Sequence, residues 1–193
     1  MNSAVFKLAV FGDRACGKAA LIHRLLGNGF VENQKPSIHD YCEKSVRFNE
    51  VCNKNIQCVD TSDLHLCPPM KKVTIGMAGA FILMFSIDDL QSFHHITEYY
   101  NDIMEIKGKA GAHYVPLIVV GNKLDLEHAR KVTIDDVDDV VCEKWKRKYV
   151  EVCTKDGTNY DTLLTYLHQE IVKAIGPTES RKKSMGARLK AIF

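Results

Sequence analysis

No stretch of this 193-residue chain is apolar for long enough to cross a membrane: the longest run, Ala78 to Ile87, spans ten residues, about half of what a bilayer requires. Paired cysteines are missing too. The seven cysteines, at 16, 42, 52, 58, 67, 142 and 153, are odd in number and contain no Cys-x-x-Cys. That argues against a disulfide framework or a paired zinc site and for reduced thiols acting as small apolar side chains. His65, Cys67 and Cys58 lie near one another, but a His-x-Cys pair in a proline-rich loop is weak grounds for zinc. There is no internal repeat, and no secretory signal precedes the first strand-like segment, Val5–Phe11. Hydrophobic residues at 46% and charged residues at 26% exclude disordered, collagenous and low-complexity architectures. What remains is the length of one ordinary domain with a short tail, expected to be soluble, intracellular and monomeric.

Charge is unevenly placed. From Gly176 onward Arg181, Lys182, Lys183, Arg188 and Lys190 face only Glu179, a net +4, so a chain with a net charge of +2 has a body at −2. The basic character belongs to the tail, and no nucleic-acid partner is expected. The division is therefore a domain over residues 1–175 and a basic tail over 176–193. The tail reads Lys190-Ala-Ile-Phe193 at its end, so prenylation is not expected. Its cations can give at most weak peripheral attraction to an acidic inner membrane surface, about 1 kcal/mol each.

Apolar periodicity alternates between short strands and longer helices. Lys18–Leu26 carries Leu21, Ile22, Leu25 and Leu26 on one helical face. Glu43–Glu50 and Lys54–Val59 alternate around a turn containing Asn53, which predicts an antiparallel hairpin. Ala80–Phe85 and Val115–Val120 are continuous apolar runs, as parallel strands buried on both faces require. Leu90–Lys107 reads as a crossover helix, with His94 and His95 near its start and one side toward solvent. Thr133 is placed to cap a helix running to Trp145. Tyr149–Val152 reads as a last strand, and Tyr160, Leu163, Leu164, Leu167 and Ile171 as the stripe of a final helix. Strands alternating with helices predict a doubly wound α/β domain.

Two motifs carry chemistry. Gly12-Asp13-Arg14-Ala15-Cys16-Gly17-Lys18 follows the first strand and opens the first helix. There glycines let backbone N–H groups wrap phosphates, the helix N-terminus adds positive potential, and Lys18 reaches the β-phosphate and any γ-phosphate. The position after the lysine is Ala19, where the pattern demands a hydroxyl. Asn122-Lys123-Leu124-Asp125 follows the fifth strand, at the carboxyl edge where open α/β sheets bind ligands. A carboxylate at Asp125 can accept both N–H groups of guanine's Watson–Crick edge.

The arrangement resembles a Ras-type small GTPase over roughly residues 4–175, with Asp60–Met70 and Ala80–Ser86 most similar to the Di-Ras and dexamethasone-induced Ras branches. The resemblance implies a single P-loop NTPase domain of α/β class, with a six-stranded, mostly parallel sheet and five flanking helices. It implies GTP or GDP as ligand, with Phe30 against the guanine, Asn122 and Asp125 holding it, and Lys123 covering it. It also makes Cys153-Thr154-Lys155 the last nucleotide box, with mild departures at Cys153 and Thr154.

The phosphate and metal side departs from the family. Mg²⁺ would be held by Ser37 and Asp60 without help from Ala19, so magnesium is expected to be weak or absent. Asp63 replaces a glycine that meets the γ-phosphate. At about 5 Å and an effective dielectric of about 20, its repulsion would be roughly 3 kcal/mol, about a hundredfold against GTP. Leu64 replaces the water-positioning glutamine. Arg14 stands where a side chain obstructs an activator's arginine finger, worth on the order of 10³–10⁵ in rate; Arg14 as a built-in finger would still lack a glutamine to orient water. No catalytic residue is intact, and slow or absent hydrolysis is expected. Ser37, Ile38, His39, Asp40 and Tyr41 match the effector loop through which protein effectors or regulators would bind. A slow but functional switch and a nucleotide-free interaction module are the alternatives.

Overall fold

The computed structural model describes residues 6–25, 41–49, 52–61, 68–111 and 114–175. Among them β1 (Phe6–Gly12), β2 (Tyr41–Asn49), β3 (Cys52–Asp60), β4 (Ala80–Ser86), β5 (Leu117–Asn122) and β6 (Lys148–Glu151) form a six-stranded sheet of order β2-β3-β1-β4-β5-β6. All neighbours run parallel except β2 and β3, which form the expected hairpin. Helices α1 (Lys18–Leu25), α2 (Pro68–Met77), α3 (Leu90–Lys109), α4 (Ile134–Val137) and α5 (Tyr160–Ile175) cover the two faces.

Alternation along the central strands explains their continuous apolar runs. Ala9, Phe11, Phe81, Leu83, Phe85, Leu117 and Val119 point to one face, where α2, α3 and α4 bring Ile75, Phe93, Ile96, Ile103 and Val137. The intervening Leu8, Val10, Ile82, Met84, Ile118 and Val120 meet Leu21 and Ile22 of α1 and Leu163, Leu167 and Ile171 of α5. Each strand residue is therefore apolar whichever way it points.

Three sequence expectations shift. Asn53 is not in the hairpin turn: it lies within β3 opposite Arg47, next to a register shift between Arg47 and Asn49. The fifth strand starts at Leu117 rather than Val115. Pro116 has no N–H for a ladder, so it supplies only its carbonyl, which accepts from the Phe81 N–H at 2.9 Å. Thr133 does cap its helix, its hydroxyl accepting from the Asp136 N–H at 3.1 Å. Only the first turn is α-helical, however. Asp138–Lys144 widens to π geometry, and the Trp145 indole stacks on Tyr100 of α3 at 4.0 Å and 3°. Lys146 then takes a left-handed φ of 54° and the Arg147 N–H bonds back to the Val141 carbonyl at 2.9 Å, a Schellman-type closure. No helix among the described residues is long and apolar enough to cross a membrane.

Candidate nucleotide-binding site

The loop after β1 is shaped by what approaches it. A Cβ on Gly12 would lie 2.1 Å from the Met84 carbonyl oxygen, and one on Gly17, whose φ is +101°, would lie 2.2 Å from Asn122 Nδ2. Neither position admits another residue. Ala15 between them also takes a left-handed φ of 60°. The Lys18 ammonium is buried and donates to the Gly12 carbonyl at 2.9 Å and the Asp13 carbonyl at 2.7 Å. It thus bridges the mouth of the loop above the N-terminus of α1. Cys16 is buried within the loop, and burial pushes its thiol up to about 11, so it remains neutral at physiological pH. Arg14 is exposed on the loop's outer side, and Ala19 lies in the first turn of α1.

Asn122, at the end of β5 and 1% exposed, joins this loop to the last motif. Its Nδ2 donates to the Cys16 carbonyl at 2.8 Å and to Thr154 Oγ1 at 3.2 Å, while its Oδ1 accepts from the Thr154 N–H at 3.1 Å. Thr154 is therefore a structural partner of Asn122, a stronger role than a mild departure would have. Cys153 is buried beside it, its thiol donating to Asp125 Oδ1 at 3.3 Å. Asp125 itself is exposed, as is Lys155. Lys123 has a left-handed φ of 67° and places its ammonium 3.4 Å from Asp88.

Behind the motifs, two arginines fix the loops. Arg24 of α1 donates from Nε and Nη2 to the Thr154 carbonyl at 3.1 and 3.0 Å, and from Nη2 to the Lys155 carbonyl at 3.0 Å. Arg130 closes the 3-10 turn Leu124–Ala129 onto β6. Its guanidinium binds both Glu151 oxygens at 2.7 and 2.8 Å and reaches Glu127 at 2.5 Å. Burial raises the Glu151 carboxyl, but Arg130 and the Tyr149 hydroxyl outweigh it and hold it below its ordinary value. The pair is only 14% exposed on each side. Arg130→Ala should therefore cost about 2 kcal/mol, because it strands a half-buried carboxylate. The folded pKa of Glu151 lies below the unfolded one, so this stability is present above the ordinary glutamate range and fades as pH falls through the folded value. Urea titrations of both proteins should converge in acid; a constant gap would contradict the pairing.

The sequence did not single out Arg24, Arg130 or His95 for the site. His94 is exposed, as expected for a helix with one wet side. His95 instead turns to the loop after β1, its Nδ1 2.6 Å from Asp13 Oδ2. Arg24 and His95 sit on helices and Arg130 follows the 3-10 turn, and none of the three belongs to a local motif that would have flagged it. Asp60 ends β3 opposite Val10, at the same carboxyl edge. The next residue, Thr61, is buried and its hydroxyl donates to the Val10 carbonyl at 2.6 Å. Tyr41 begins β2 opposite Val59. Phe30, Ser37, Ile38, His39, Asp40, Asp63, Leu64, His65 and Cys67 lie outside the described residues, as does the tail. Among the described residues no cluster of three or more His, Cys, Asp or Glu could hold a metal ion.

Comparison with known proteins agrees with this geometry. The Ras family model matches residues 7–173. The chain is 31% identical over 165 residues to the GTP-binding protein Di-Ras2 of Pongo abelii, covering 84% of this chain and 79% of that protein. It is 30% identical over 166 residues to the GTP-binding protein drn-1 of Caenorhabditis elegans, covering 86% and 75%. With the GTP-binding protein Di-Ras1 of Mus musculus it shares 28% over 193 residues, covering 96% and 93%. Glycine cradle, lysine bridge and asparagine staple all fall inside the matched span, and the chain belongs to the Ras family.

Proposed function

We propose that this protein binds guanine nucleotides and hydrolyses GTP slowly or not at all, working as a signalling or scaffold module. One observation supports the nucleotide half: Asn122 ties the loop after β1 to the segment at Thr154, so one buried side chain joins the two segments that would hold the two ends of the ligand. The cradle at Gly12 and Gly17 suits a polyphosphate, since a Cβ at either would collide with its wall. The phosphates would meet loop N–H groups, the Lys18 ammonium and the positive end of α1. The exposed Asp125 carboxylate would take the guanine N–H pair, which adenine lacks.

Magnesium, where bound, neutralises phosphate charge. The residues fit it poorly, because Ala19 presents a methyl group from the first turn of α1 where an oxygen ligand is wanted. Ser37 and Asp60 would be left to hold it. Leu64 has no polar group to orient water, and Asp63, if placed as the family resemblance implies, would oppose a γ-phosphate. Effectors or regulators would bind over Ser37–Tyr41, with His39 unsuited to partners that read an acidic residue there.

Titration with fluorescent GDP and GTP, in Mg²⁺ and in EDTA, tests this function. GDP binding that changes little with EDTA, with weaker GTP binding and slow single-turnover cleavage, is the expected result. Tight Mg²⁺-dependent GTP binding with rapid cleavage points to an ordinary switch, and binding of neither points to an interaction module.

A further inference from the structure

The phosphate-binding loop carries an acid, Asp13, where a polyanion must bind, and a carboxylate there repels its ligand. The structure turns that carboxylate toward α3, where His95 receives it at 2.6 Å with side chains 35% and 23% exposed. The loop remains anchored beneath it, because the Asp13 carbonyl accepts from Lys18 at 2.7 Å. The other charges bearing on His95 are Glu98 of its own helix and Asp89, which caps that helix, both acidic. On the α2 side, Lys71 is engaged one turn further along, 2.5 Å from Asp102 and 5.8 Å from the centre of the Tyr99 ring. Arg14 follows Asp13 on the loop's exposed side. The hydrogen bond to Asp13, against some cost of burial, raises the imidazole's pKa above its ordinary value and so favours the charged ring.

We propose that His95 is a positioning residue for polyphosphate binding, which as an imidazolium neutralises Asp13 and holds its carboxylate against α3, away from the phosphates. The role rests on the nucleotide-binding function above. It makes nucleotide affinity fall as pH rises through the titration of His95, since the neutral ring leaves the Asp13 charge uncompensated.

The test is fluorescent GDP binding to the full chain at fixed Mg²⁺, from about pH 6 to about pH 8.5, for the parent, His95→Gln, Asp13→Asn and the double variant. The parent should lose affinity by on the order of tenfold across that range. His95→Gln should bind on the order of tenfold more weakly at the acid end, and the double variant should recover. Asp13→Asn should keep only the slope due to the nucleotide's own phosphate, which is common to all four proteins. Equal profiles for parent and Asp13→Asn overturn the proposal even if the histidine variants fail to fold. So does a double variant as weak as His95→Gln, which would mark His95 as mere packing. Nucleotide binding with no difference among the variants sinks this role alone, whereas no binding by any of them at any pH sinks the nucleotide function with it.

Discussion

Replacing Asn122 with alanine is expected to cost about 3–4 kcal/mol of folding stability and to remove guanine-nucleotide binding. The side chain is 1% exposed and makes three hydrogen bonds, to the Cys16 carbonyl and to the hydroxyl and N–H of Thr154. Truncation leaves those groups without that partner in a dry site, and each unsatisfied group costs about 1–3 kcal/mol. It also removes the amide that Gly17 packs against, so the phosphate-binding loop loses its wall as well as its tether. Asn122→Asp separates the two effects. It keeps an acceptor for the Thr154 N–H but sets an oxygen against the Cys16 carbonyl, so it should lose the loop contact specifically. Urea unfolding of the three proteins checks this, and a loss under about 1 kcal/mol for alanine would mean the staple is not carrying the loop.

The second large effect is a gain. Ala19→Ser combined with Asp63→Gly should restore Mg²⁺-dependent GTP affinity by about a hundredfold, more than either change alone. The serine would add a metal ligand in the first turn of α1, and the glycine would remove a carboxylate opposing the γ-phosphate. On the proposed function the two would be coupled, because metal and γ-phosphate would share one site: a bound ion is useful only where the phosphate it neutralises is admitted. GDP, without that phosphate, should respond little to Asp63→Gly. On the proposed function hydrolysis should be slow in the double variant too, since a leucine at 64 has no polar group to orient water. Titration of GTP and GDP in Mg²⁺ and EDTA reads all of this, and simple additivity or no gain would count against both assignments.

Much of the fold was legible because its signals are local. Ala80–Ser86 is apolar without a break, and only a strand buried on both faces tolerates that. Where local signals competed, the sequence misled. Asn53 looks like a turn residue but is paired in β3, because hairpin register answers to the whole strand pair and a single propensity does not decide it. Pro116 sits within an apolar run yet delays the strand by two positions relative to Val115. The π turns at Asp138–Lys144 carry no periodic signature distinct from an α-helix over so short a span.

The site divides along the same line. Gly12, Gly17 and Lys18 form one motif and Asn122 and Asp125 another, because each short segment presents several backbone and side-chain groups at once, and that pattern is written in nearby letters. Ala19, Asp63 and Leu64 are read in the same way, as expected departures from the family pattern at fixed places. What no string of neighbours records is which distant side chain completes a contact. Arg24 reaches Thr154 across 130 positions, and His95 reaches Asp13 across 82. Such pairs form when helices pack against the sheet, and packing is governed by the apolar faces, whereas the polar partners ride on the opposite or flanking positions. Sequence alone therefore determined the likeness to one family and pointed to the kind of ligand; the tertiary structure decided how the loop after β1 is tethered and which side chain its acid, Asp13, meets.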